Sequence, residues 1–236
     1  MSDTSLDRDP FRKDRIEKGC HHADLDGESI PMILRYRDLR KAARDTRAFS
    51  SDTPCRVPIP AEEKVRSVRQ LPLEVDPPEH TEYRKIVEPF FKRASEPEYI
   101  ESIGALVSAL LDEVIRKETA EMVREFALPL QSRALAVLMK MPPAEAEVWI
   151  GWGTHVFREG EGAKKGAALE DYIGKRIARA RADPGEDFFS AMTRATFEGR
   201  PLTSEEIAGF ANIMFAGGRD TIINSITGPR FTSPKS

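Results

Sequence analysis

Hydrophobic side chains recur at helical spacing along most of the chain after residue 76. The clearest run is Ile100, Ile103, Leu106, Leu110 and Val114, in which each step of three or four residues returns to one helical face. This run predicts a helix over about 95–114. The same period, with breaks at proline and glycine, predicts further helices over 76–92, 120–140, 144–158, 164–182, 186–197 and 203–227.

Polar and proline residues mark where several of these helices begin. Asp76 is placed as an N-cap, with Pro77 in the first turn and Glu79 three residues after the cap. Capping-box patterns occur at residues 95–98 and at residues 203–206. Together with the periodicity, these signals predict a chain that is built mainly from α-helices.

The N-terminal part of the chain follows a different pattern. Residues 1–28 are polar and predict a surface segment with a short helix near 11–18. The apolar stretch from Ser29 to Tyr36 favours a strand, and a short helix is expected from Arg37 to Thr46. Residues 49–75 carry several prolines without a sustained period, which predicts a long loop. The expected fold class is therefore mainly α with a minor N-terminal β element.

Composition narrows the class of protein. Of the 236 residues, 40% are hydrophobic and 32% are charged, which is typical of a soluble globular domain. The net charge of -3 gives no reason to expect nucleic-acid binding, and no apolar stretch approaches the length of a membrane span. The charged N-terminus lacks the apolar core of a signal peptide, and only Cys20 and Cys55 are present. These features favour a reducing cytoplasm over a disulfide-rich secreted protein.

A short segment within the last predicted helix offers candidate chemistry. Gly217 and Gly218 lie in an apolar helix, where two glycines cost about 1–2 kcal/mol relative to alanines. Glycines there would let a flat ligand approach the backbone, and a missing helical hydrogen bond would leave room for water. Asp220 and Thr221 follow and could hold and relay protons. The alternative is a helix crossing at small residues, with Asp220 and Thr221 facing solvent.

A further candidate lies near the start of the helix predicted over 76–92. His80 and Arg84 are four residues apart and share one helical face, where they offer donors to an anionic ligand. The alternative is local pairing of Arg84 with Glu79 or Glu88.

Other polar positions carry less weight. Cys20-His21-His22 is interpreted as a polar loop, because adjacent residues point apart and no matching pair of metal ligands follows. His155 is interpreted as a packed or half-exposed helix residue near Trp149 and Trp152.

Taken in chain order, these segments resemble those of a bacterial-type cytochrome P-450. The resemblance rests on four motifs in the family's order and spacing, and it covers residues 30–227, nearly the whole chain. The motifs are Tyr36–Arg40 with Phe49–Ser51, Asp76–His80 with Arg84, Glu186–Phe189 with Gly199–Thr203, and Ala216–Thr221. The motif that begins at Asp76 resembles the family's haem-contacting helix, and the motif that begins at Ala216 resembles its central oxygen-binding helix. The expected fold is the N-terminal portion of a cytochrome P-450, truncated after that central helix.

The resemblance implies a haem cofactor and residues that would hold it. His80 and Arg84 would bind the haem propionates. Ala216, Gly217 and Gly218 would let the distal face of the haem approach the helix.

The resemblance also implies catalytic residues and a substrate pocket. Asp220 and Thr221 would deliver protons during the activation of dioxygen. Arg219 departs from the family, in which an apolar residue or histidine is frequent at this position, and it is expected to point away from the haem and pair with another charge. The loop at 54–75 and the segment around 154–170 would line the substrate pocket.

The partners implied by the resemblance are a small organic substrate and a ferredoxin-type electron donor, with no nucleic acid and no membrane. The electron donor would dock on the proximal face. Lys85 and Lys92, on the same helix as His80, are the candidates for its basic docking surface.

The family's later half is not matched. A Glu-x-x-Arg helix and a glycine-rich loop with the iron-ligating cysteine would follow the central helix, and residues 228–236 match neither. Cys20 and Cys55 lie in no such loop, so no metal ligand is assigned. The expected organisation is a polar segment over 1–28, a partial cytochrome P-450 domain over 29–227 and a non-matching tail over 228–236.

Two functions stay open at this point. One is the N-terminal part of a haem-dependent monooxygenase that hydroxylates a small organic substrate with dioxygen and electrons from a redox partner. The other is a truncated, non-catalytic product, or a helical remnant that binds an apolar ligand or a partner. Because the cysteine thiolate favours O–O cleavage, the chain without it is expected to be inactive alone.

Overall fold

The structure is a computed structural model. It describes residues 9–25, 27–53, 67–153 and 162–228. These residues divide into two compact units, which fall within Met1–Thr53 with Val75–Pro77 and within Pro54–Glu74 with Pro78–Ser236. The expected class, mainly α with a minor N-terminal β element, is confirmed.

The first unit combines a short helix, a two-stranded antiparallel hairpin and another helix. Their bounds are Arg12–Glu17 (α1), Cys20–Leu25 (β1), Glu28–Ile33 (β2) and Tyr36–Ala42 (α2). In the hairpin, Cys20 pairs with Ile33 and Leu25 pairs with Glu28. Gly27 in the turn has φ +85°, a left-handed backbone that glycine adopts without a Cβ clash. The predicted strand is therefore present as β2, together with a partner strand that the pattern did not indicate.

The prediction of a polar loop at Cys20-His21-His22 is wrong, because these residues form the first half of β1. The Nδ1 atom of His21 lies 2.6 Å from a carboxylate oxygen of Asp14 in α1, and its ring lies 5.1 Å from that of Phe11. A polar segment can form a strand when a partner strand supplies the ladder of backbone hydrogen bonds, and local polarity does not reveal that partner.

Asp76 departs from its expected role as a helix cap. The helix begins only at Glu79, with Pro78 in the N-cap position and no side-chain cap. The carboxylate of Asp76 instead accepts hydrogen bonds from the backbone N–H of Ser51 at 2.8 Å and from the hydroxyl of Ser50. Asp76 therefore joins two segments of the first unit.

Over the residues that the structure describes, the second unit is helical apart from one short hairpin and a few turns. Its helices are Glu79–Lys92 (α3), Pro97–Ile115 (α4), Leu128–Leu138 (α5), Pro143–Gly151 (α6), Gly162–Ala182 (α7), Phe188–Arg194 (α8), Ser204–Gly218 (α9) and Asp220–Thr227 (α10). The hairpin pairs Thr196–Phe197 (β3) with Arg200–Pro201 (β4). A π-helical turn at Val123–Ala127 leads directly into α5. Each predicted helix is confirmed in position, and the last one is divided in two.

The two capping-box predictions have different outcomes. At α9, the side chain of Thr203 accepts from the backbone N–H of Glu206, and the Glu206 carboxylate accepts from the backbone N–H of Thr203, so the box is confirmed. At α4 the predicted box is wrong. Ser95 ends a short 3-10 turn, and Glu96 takes the N-cap position without a side-chain bond. Pro97 occupies the first turn, where backbone N–H groups have no helical partner, so the N–H that proline lacks costs no hydrogen bond.

α2, α6 and α8 are shorter than their patterns predict, and α2 ends at Ala42 rather than at Thr46. α6 ends at Gly151, and Gly153 has φ +76°, a left-handed conformation that a continuing helix cannot contain. The rest of that predicted span, 154–158, lies outside the described residues. α8 begins after Asp187, whose side chain accepts from the backbone N–H of Ser190, and it ends just before β3.

Aromatic side chains fill the centre of the second unit. Trp149, Phe188, Phe189, Phe210 and Phe215 are each at most 1% exposed. Trp149 and Phe215 meet edge to face, with ring centroids 5.0 Å apart. Burying an aromatic or aliphatic side chain of this kind contributes about 1.5–3 kcal/mol. This packing fixes α9 against α6, α7 and α8.

A carboxylate at the start of α9 links that helix to α3 and to the β3–β4 hairpin. Glu206 accepts from the Tyr83 hydroxyl at 2.6 Å and from the Arg200 guanidinium at 2.7 and 2.8 Å. The bonds from Arg200 lower the pKa of Glu206 to about 2. Burial, together with the bond to Glu206, raises the pKa of Tyr83 to about 12.

Glu206→Gln is expected to lower the free energy of unfolding by about 1–2 kcal/mol near neutral pH, because a charge-assisted bond is lost while half-exposed Arg200 is screened by solvent. The folded pKa of Glu206 lies below its ordinary value of 4.5. Its contribution is therefore present above pH 4.5 and is lost as the pH falls towards 2. Chemical denaturation across that range measures the effect. Glu205→Gln, in the same turn, is the matched control, and an identical acid profile for both variants would contradict the expectation.

Candidate functional site

The last predicted helix is interrupted at Arg219. α9 ends at Gly218 and α10 begins at Asp220, and Arg219 between them has φ −114° and ψ −84°, outside the helical range. The backbone N–H of Ile222 bonds to the Arg219 carbonyl at 3.1 Å, one residue nearer than in an α-helix. The carbonyl of Gly218 is thereby released from the helical ladder. We refer to this point, from Gly217 to Thr221, as the helix break.

Side chains satisfy the carbonyls that the helix break releases. The Thr221 hydroxyl donates to the Gly217 carbonyl at 2.5 Å, and the Gln131 amide of α5 donates to the Gly218 carbonyl at 2.6 Å. Gln131 is buried, and a buried amide requires a hydrogen-bond partner. The two bonds stabilise the break because they replace the lost helical bonds.

The two glycines have different surroundings. A Cβ on Gly218 would lie 3.2 Å from Cδ1 of Leu135, so the absence of a side chain lets α9 pack closely on α5. A Cβ on Gly217 would meet no atom within 4 Å, and Gly217 is exposed, while Ala216 before it is half-buried. The helix crossing expected as an alternative is therefore present at Gly218. Gly217 has the open space that the approach of a flat ligand requires.

Asp220 and Thr221 lie together at the start of α10. Asp220 is half-buried and follows Arg219 directly in the chain. Thr221 is exposed, and its hydroxyl can still accept a hydrogen bond while it donates to Gly217. A carboxylate beside a hydroxyl at a solvent-reachable break can exchange protons with water.

Arg219 is almost fully buried, with 1% of its surface exposed. Its guanidinium donates to the carbonyls of Trp149 at 3.0 Å and Gly153 at 2.5 Å, at the end of α6. The guanidinium carbon lies 5.8 Å from the centre of the Trp152 ring. Burial lowers the pKa of Arg219 to about 10, and the charge of Asp220 acts in the opposite direction. Arg219 was expected to pair with another charge. Its hydrogen bonds go instead to backbone carbonyls, and the charge that acts on it is that of Asp220, the next residue.

An aromatic cluster lies beside Arg219. Its members are Trp149, Trp152, Tyr172 and Phe215, with ring centroids 5.0 to 6.3 Å apart. The Tyr172 hydroxyl donates to the Glu145 carboxylate at 2.8 Å, and Glu145 also pairs with Arg176. Burial raises the pKa of Tyr172, so its hydroxyl stays a donor. The cluster surrounds the end of α6 with packed rings. Within the described part of the chain, the indole N–H of Trp149 and the Nε of Arg219 are buried there without a hydrogen-bond partner.

His80 and Arg84 both lie on α3, as predicted. His80 is half-buried and Arg84 is exposed, with its guanidinium carbon 5.7 Å from the centre of the Phe91 ring. The local ion pair expected as an alternative is not formed, since Glu88 pairs with Lys92 and Arg84 has no carboxylate partner in the described part of the chain.

α3 meets α9 at the middle of α9, where the Tyr83 and Phe210 rings lie 5.9 Å apart. Gly217 follows Phe210 by seven residues, which is about 10 Å along a helix. Within the residues that the structure describes, no hydrogen bond or ion pair joins His80 or Arg84 to the helix break. The contact between α3 and α9 at Phe210 and the helix break are therefore about two turns of α9 apart.

The sequence and the fold of the chain were compared with those of known proteins. No protein-family model matches the chain. A solved structure described as a carbohydrate-active P-450 is 46% identical, with a TM-score of 0.88 over 93% of this chain and 57% of that one. The chain is a partial cytochrome P-450 of the bacterial type.

Curated relatives agree with this assignment. A probable cytochrome P-450 127A1 of Sinorhizobium fredii is 30% identical over 205 residues, which is 85% of this chain and 48% of the relative. The cytochrome P-450 monooxygenase PikC of Streptomyces venezuelae is 30% identical over 221 residues, which is 90% of this chain and 52% of the relative. The cytochrome P-450 chain thus spans about half the length of the curated relatives that it matches.

Several expected elements of the cytochrome P-450 site fall outside the described residues. These are residues 54–66 of the Pro-rich loop, residues 154–161 of the other pocket segment, Cys55 and His155. In the described part of the chain, no group of three His, Cys, Asp or Glu side chains could hold a metal ion. No described helix combines the length and apolar character that a membrane span requires.

Sequence reasoning missed Gln131 and the end of α6, both of which bond to residues of the helix break. A signal for Gln131 existed, because it lies four residues from both Ala127 and Leu135 and so shares the buried face of its helix. A polar residue on such a face needs a partner. No comparable signal marks the α6 carbonyls, since every residue has one.

Proposed function

We propose that this partial cytochrome P-450 supplies the distal side of the haem site in a monooxygenase. One observation carries the proposal. At the helix break, the exposed backbone of Gly217 lies directly beside the Thr221 hydroxyl, which donates to the Gly217 carbonyl at 2.5 Å. A flat ligand can approach bare backbone at this point and find a hydroxyl next to it. The described residues therefore fit one face of a haem.

His80 and Arg84 are proposed to hold the haem by its propionates. Both offer donors to an anion, and Arg84 is exposed without a competing carboxylate among the described residues. Ala216, Gly217 and Gly218 are proposed to give the haem close access to α9. When bound, haem supplies the activation of dioxygen at its iron. We assign no iron ligand within the described residues.

Asp220 and Thr221 are proposed to move protons at this site. The Thr221 hydroxyl keeps an acceptor position while it donates to Gly217, so it can hold a water molecule against the break. Asp220, half-buried beside it, can take a proton from solvent and return it. Thr221 would then orient this water molecule as the proton donor, and Asp220 would replace the proton that the water gives up.

The proposed reaction is the hydroxylation of a small organic substrate. The 46% identical structure is described as carbohydrate-active, and its identity is well above the 30% of the two curated relatives named above. We therefore take a carbohydrate as the substrate class. Trp152 is half-buried at the end of α6, next to the segment expected to line the pocket, and its ring offers a flat apolar face of the kind that packs against C–H groups.

Electrons are proposed to come from a ferredoxin-type partner, with Lys85 and Lys92 on its docking surface. Both lysines are exposed, but each already pairs with a glutamate of α3, at 2.7 Å with Glu82 and at 3.5 Å with Glu88. Such exposed pairs are weak and are screened by salt, so an acidic partner can compete with them.

Haem titration of the 236-residue chain, followed by the Soret band, tests the proposal. Saturable binding is expected, and Arg84→Met should weaken it about tenfold through the loss of a charge-assisted bond. Arg181→Met is the matched control, because it removes another exposed helical arginine from the same unit and should bind haem as the unaltered chain does. Equal affinities in all three proteins would refute the assignment of Arg84. Absence of saturable binding would favour the non-catalytic alternative.

The substrate class is tested on the same haem-loaded chain. Addition of simple sugars should shift the Soret band saturably, whereas apolar ligands of equal size should not. The reverse pattern would replace the carbohydrate by an apolar substrate.

A further inference from the structure

Arg219 belongs to the helix break but makes its contacts elsewhere. Its backbone forms the kink between α9 and α10, while its guanidinium bonds to the Trp149 and Gly153 carbonyls at the end of α6. The roles proposed above do not use it. A buried arginine is costly to desolvate, so its retention at this point calls for a structural or functional reason.

The α6 end is a favourable place for this cation. The last carbonyls of a helix lack helical partners and lie at the negative end of the helix dipole. Arg219 donates to the Trp149 carbonyl in the last turn of α6, which also accepts from the Trp152 N–H, and to the Gly153 carbonyl just beyond the helix. It also lies against the Trp152 ring, which adds a cation–π contact. These contacts fix the guanidinium, and the short covalent path from it to the backbone then restricts φ and ψ at the break.

The other side-chain hydrogen bonds at the helix break are either local or weaker than those of Arg219. Thr221 bonds to Gly217 within the break itself, and Gln131 contributes one neutral amide bond from α5. Neither bond involves the residue whose φ and ψ depart from helical values. Arg219 is the residue at the kink, and it is anchored by charge-assisted bonds to a different helix.

We propose that Arg219 is a positioning residue that holds the helix break and so sets the directions of Asp220 and Thr221. The inference rests on the proposed function for the task of that pair. The positioning itself is a property of the chain without haem. If Arg219 has this role, a change at Arg219 should disturb the end of α6 and the start of α10 together.

Residue-resolved hydrogen exchange of the haem-free chain tests the link. The amides of Ile222 and Ile223 bond to the Arg219 carbonyl, and the amide of Gly153 bonds to the Ile150 carbonyl at the end of α6. In Arg219→Met, exchange at all three should accelerate by roughly tenfold relative to Phe210 in the middle of α9, the loss expected for a buried charge-assisted bond. The reference to Phe210 removes any change in global stability.

Two further variants separate positioning from general packing. Compared with Arg219→Met, Arg219→Lys keeps the charge and N–H donors but lacks the planar fork, so it should restore part of the protection at both ends. Arg176→Met removes another largely buried arginine, which lies over the Tyr172 ring of the same aromatic cluster, and should leave the relative exchange at these amides unchanged. Equal acceleration in Arg176→Met and Arg219→Met would reduce Arg219 to a packing residue and overturn the inference.

The outcomes also separate this inference from the proposed function. Coupled acceleration in a chain that binds no haem supports the positioning and rejects the haem site. Saturable haem binding with unchanged exchange in Arg219→Met rejects the positioning and keeps the haem site. In a haem-loaded chain, Arg219→Met should also alter the Soret response to sugars more than Arg176→Met does, since only Arg219 holds the break.

Discussion

Gly217→Leu is expected to weaken haem binding by roughly 10–100-fold, because overpacking a close contact costs about 1–3 kcal/mol. The same change should leave the haem-free chain at least as stable as before. A Cβ at this position would meet no atom within 4 Å, and leucine is a better helix former than glycine by somewhat less than the difference of about 0.8–1.0 kcal/mol that separates alanine from glycine. Binding and stability are thus predicted to move in opposite directions.

Haem titration and chemical denaturation of the same samples measure the two effects. Gly104→Leu is the matched control, since Gly104 is an exposed glycine of α4 whose Cβ would likewise meet no atom within 4 Å, and haem binding should be unchanged. If Gly217→Leu bound haem as tightly as the unaltered chain, the haem could not lie against this side of α9. The assignment of Gly217 to the cofactor would then be withdrawn.

Gly209→Ala is expected to lower the free energy of unfolding by about 2–3 kcal/mol, although alanine favours helix by about 1 kcal/mol. A Cβ on Gly209 would lie 2.3 Å from the carbonyl oxygen of Arg69 and 3.3 Å from Cγ of Leu71. The closer of these contacts is with backbone, which cannot turn aside as a side chain can. Relief therefore requires the segment before α3 to move away from α9.

That segment is joined to α9 by further contacts that the change would strain. The Leu71 N–H donates to the Gly209 carbonyl at 3.4 Å, and the Gln70 amide donates to the Asn212 side chain at 2.7 Å in the interior. Chemical denaturation measures the loss. Gly217→Ala in the same helix should instead raise stability by up to about 1 kcal/mol. A gain of stability in both variants would show that the close approach at Gly209 is relieved without cost.

The helices could be predicted from the sequence because the information that defines them is local. The periodic run through Leu110 falls within α4, and Thr203 with Glu206 forms the predicted capping box at α9. Both features need only residues within one or two turns of each other. The predictions that failed involve distant partners. Asp76 bonds to Ser50 and Ser51 rather than to a helix, and Cys20 pairs with Ile33 in a strand.

The same distinction applies to the candidate site. Gly217, Asp220 and Thr221 are close in sequence, so their juxtaposition at the helix break was predictable. The kink itself was not, because it depends on Arg219 reaching the end of α6 and on Gln131 reaching across from α5. His80 and Arg84 share α3 as expected. No described contact joins them to the helix break, so only a ligand that touches both places would make them part of one site. Their place in the site stays a prediction.

The long reach of Arg219 has a consequence for the order of events in folding. The carbonyl that it caps at Trp149 lies 70 residues earlier in the chain, so the end of α6 is completed only after a large loop has closed. Such non-local contacts form late compared with local helical turns. During synthesis, α6 leaves the ribosome well before its cap exists. The last turn of α6 is therefore a place where the nascent chain stays frayed until α9 has packed, and a chaperone could find it there.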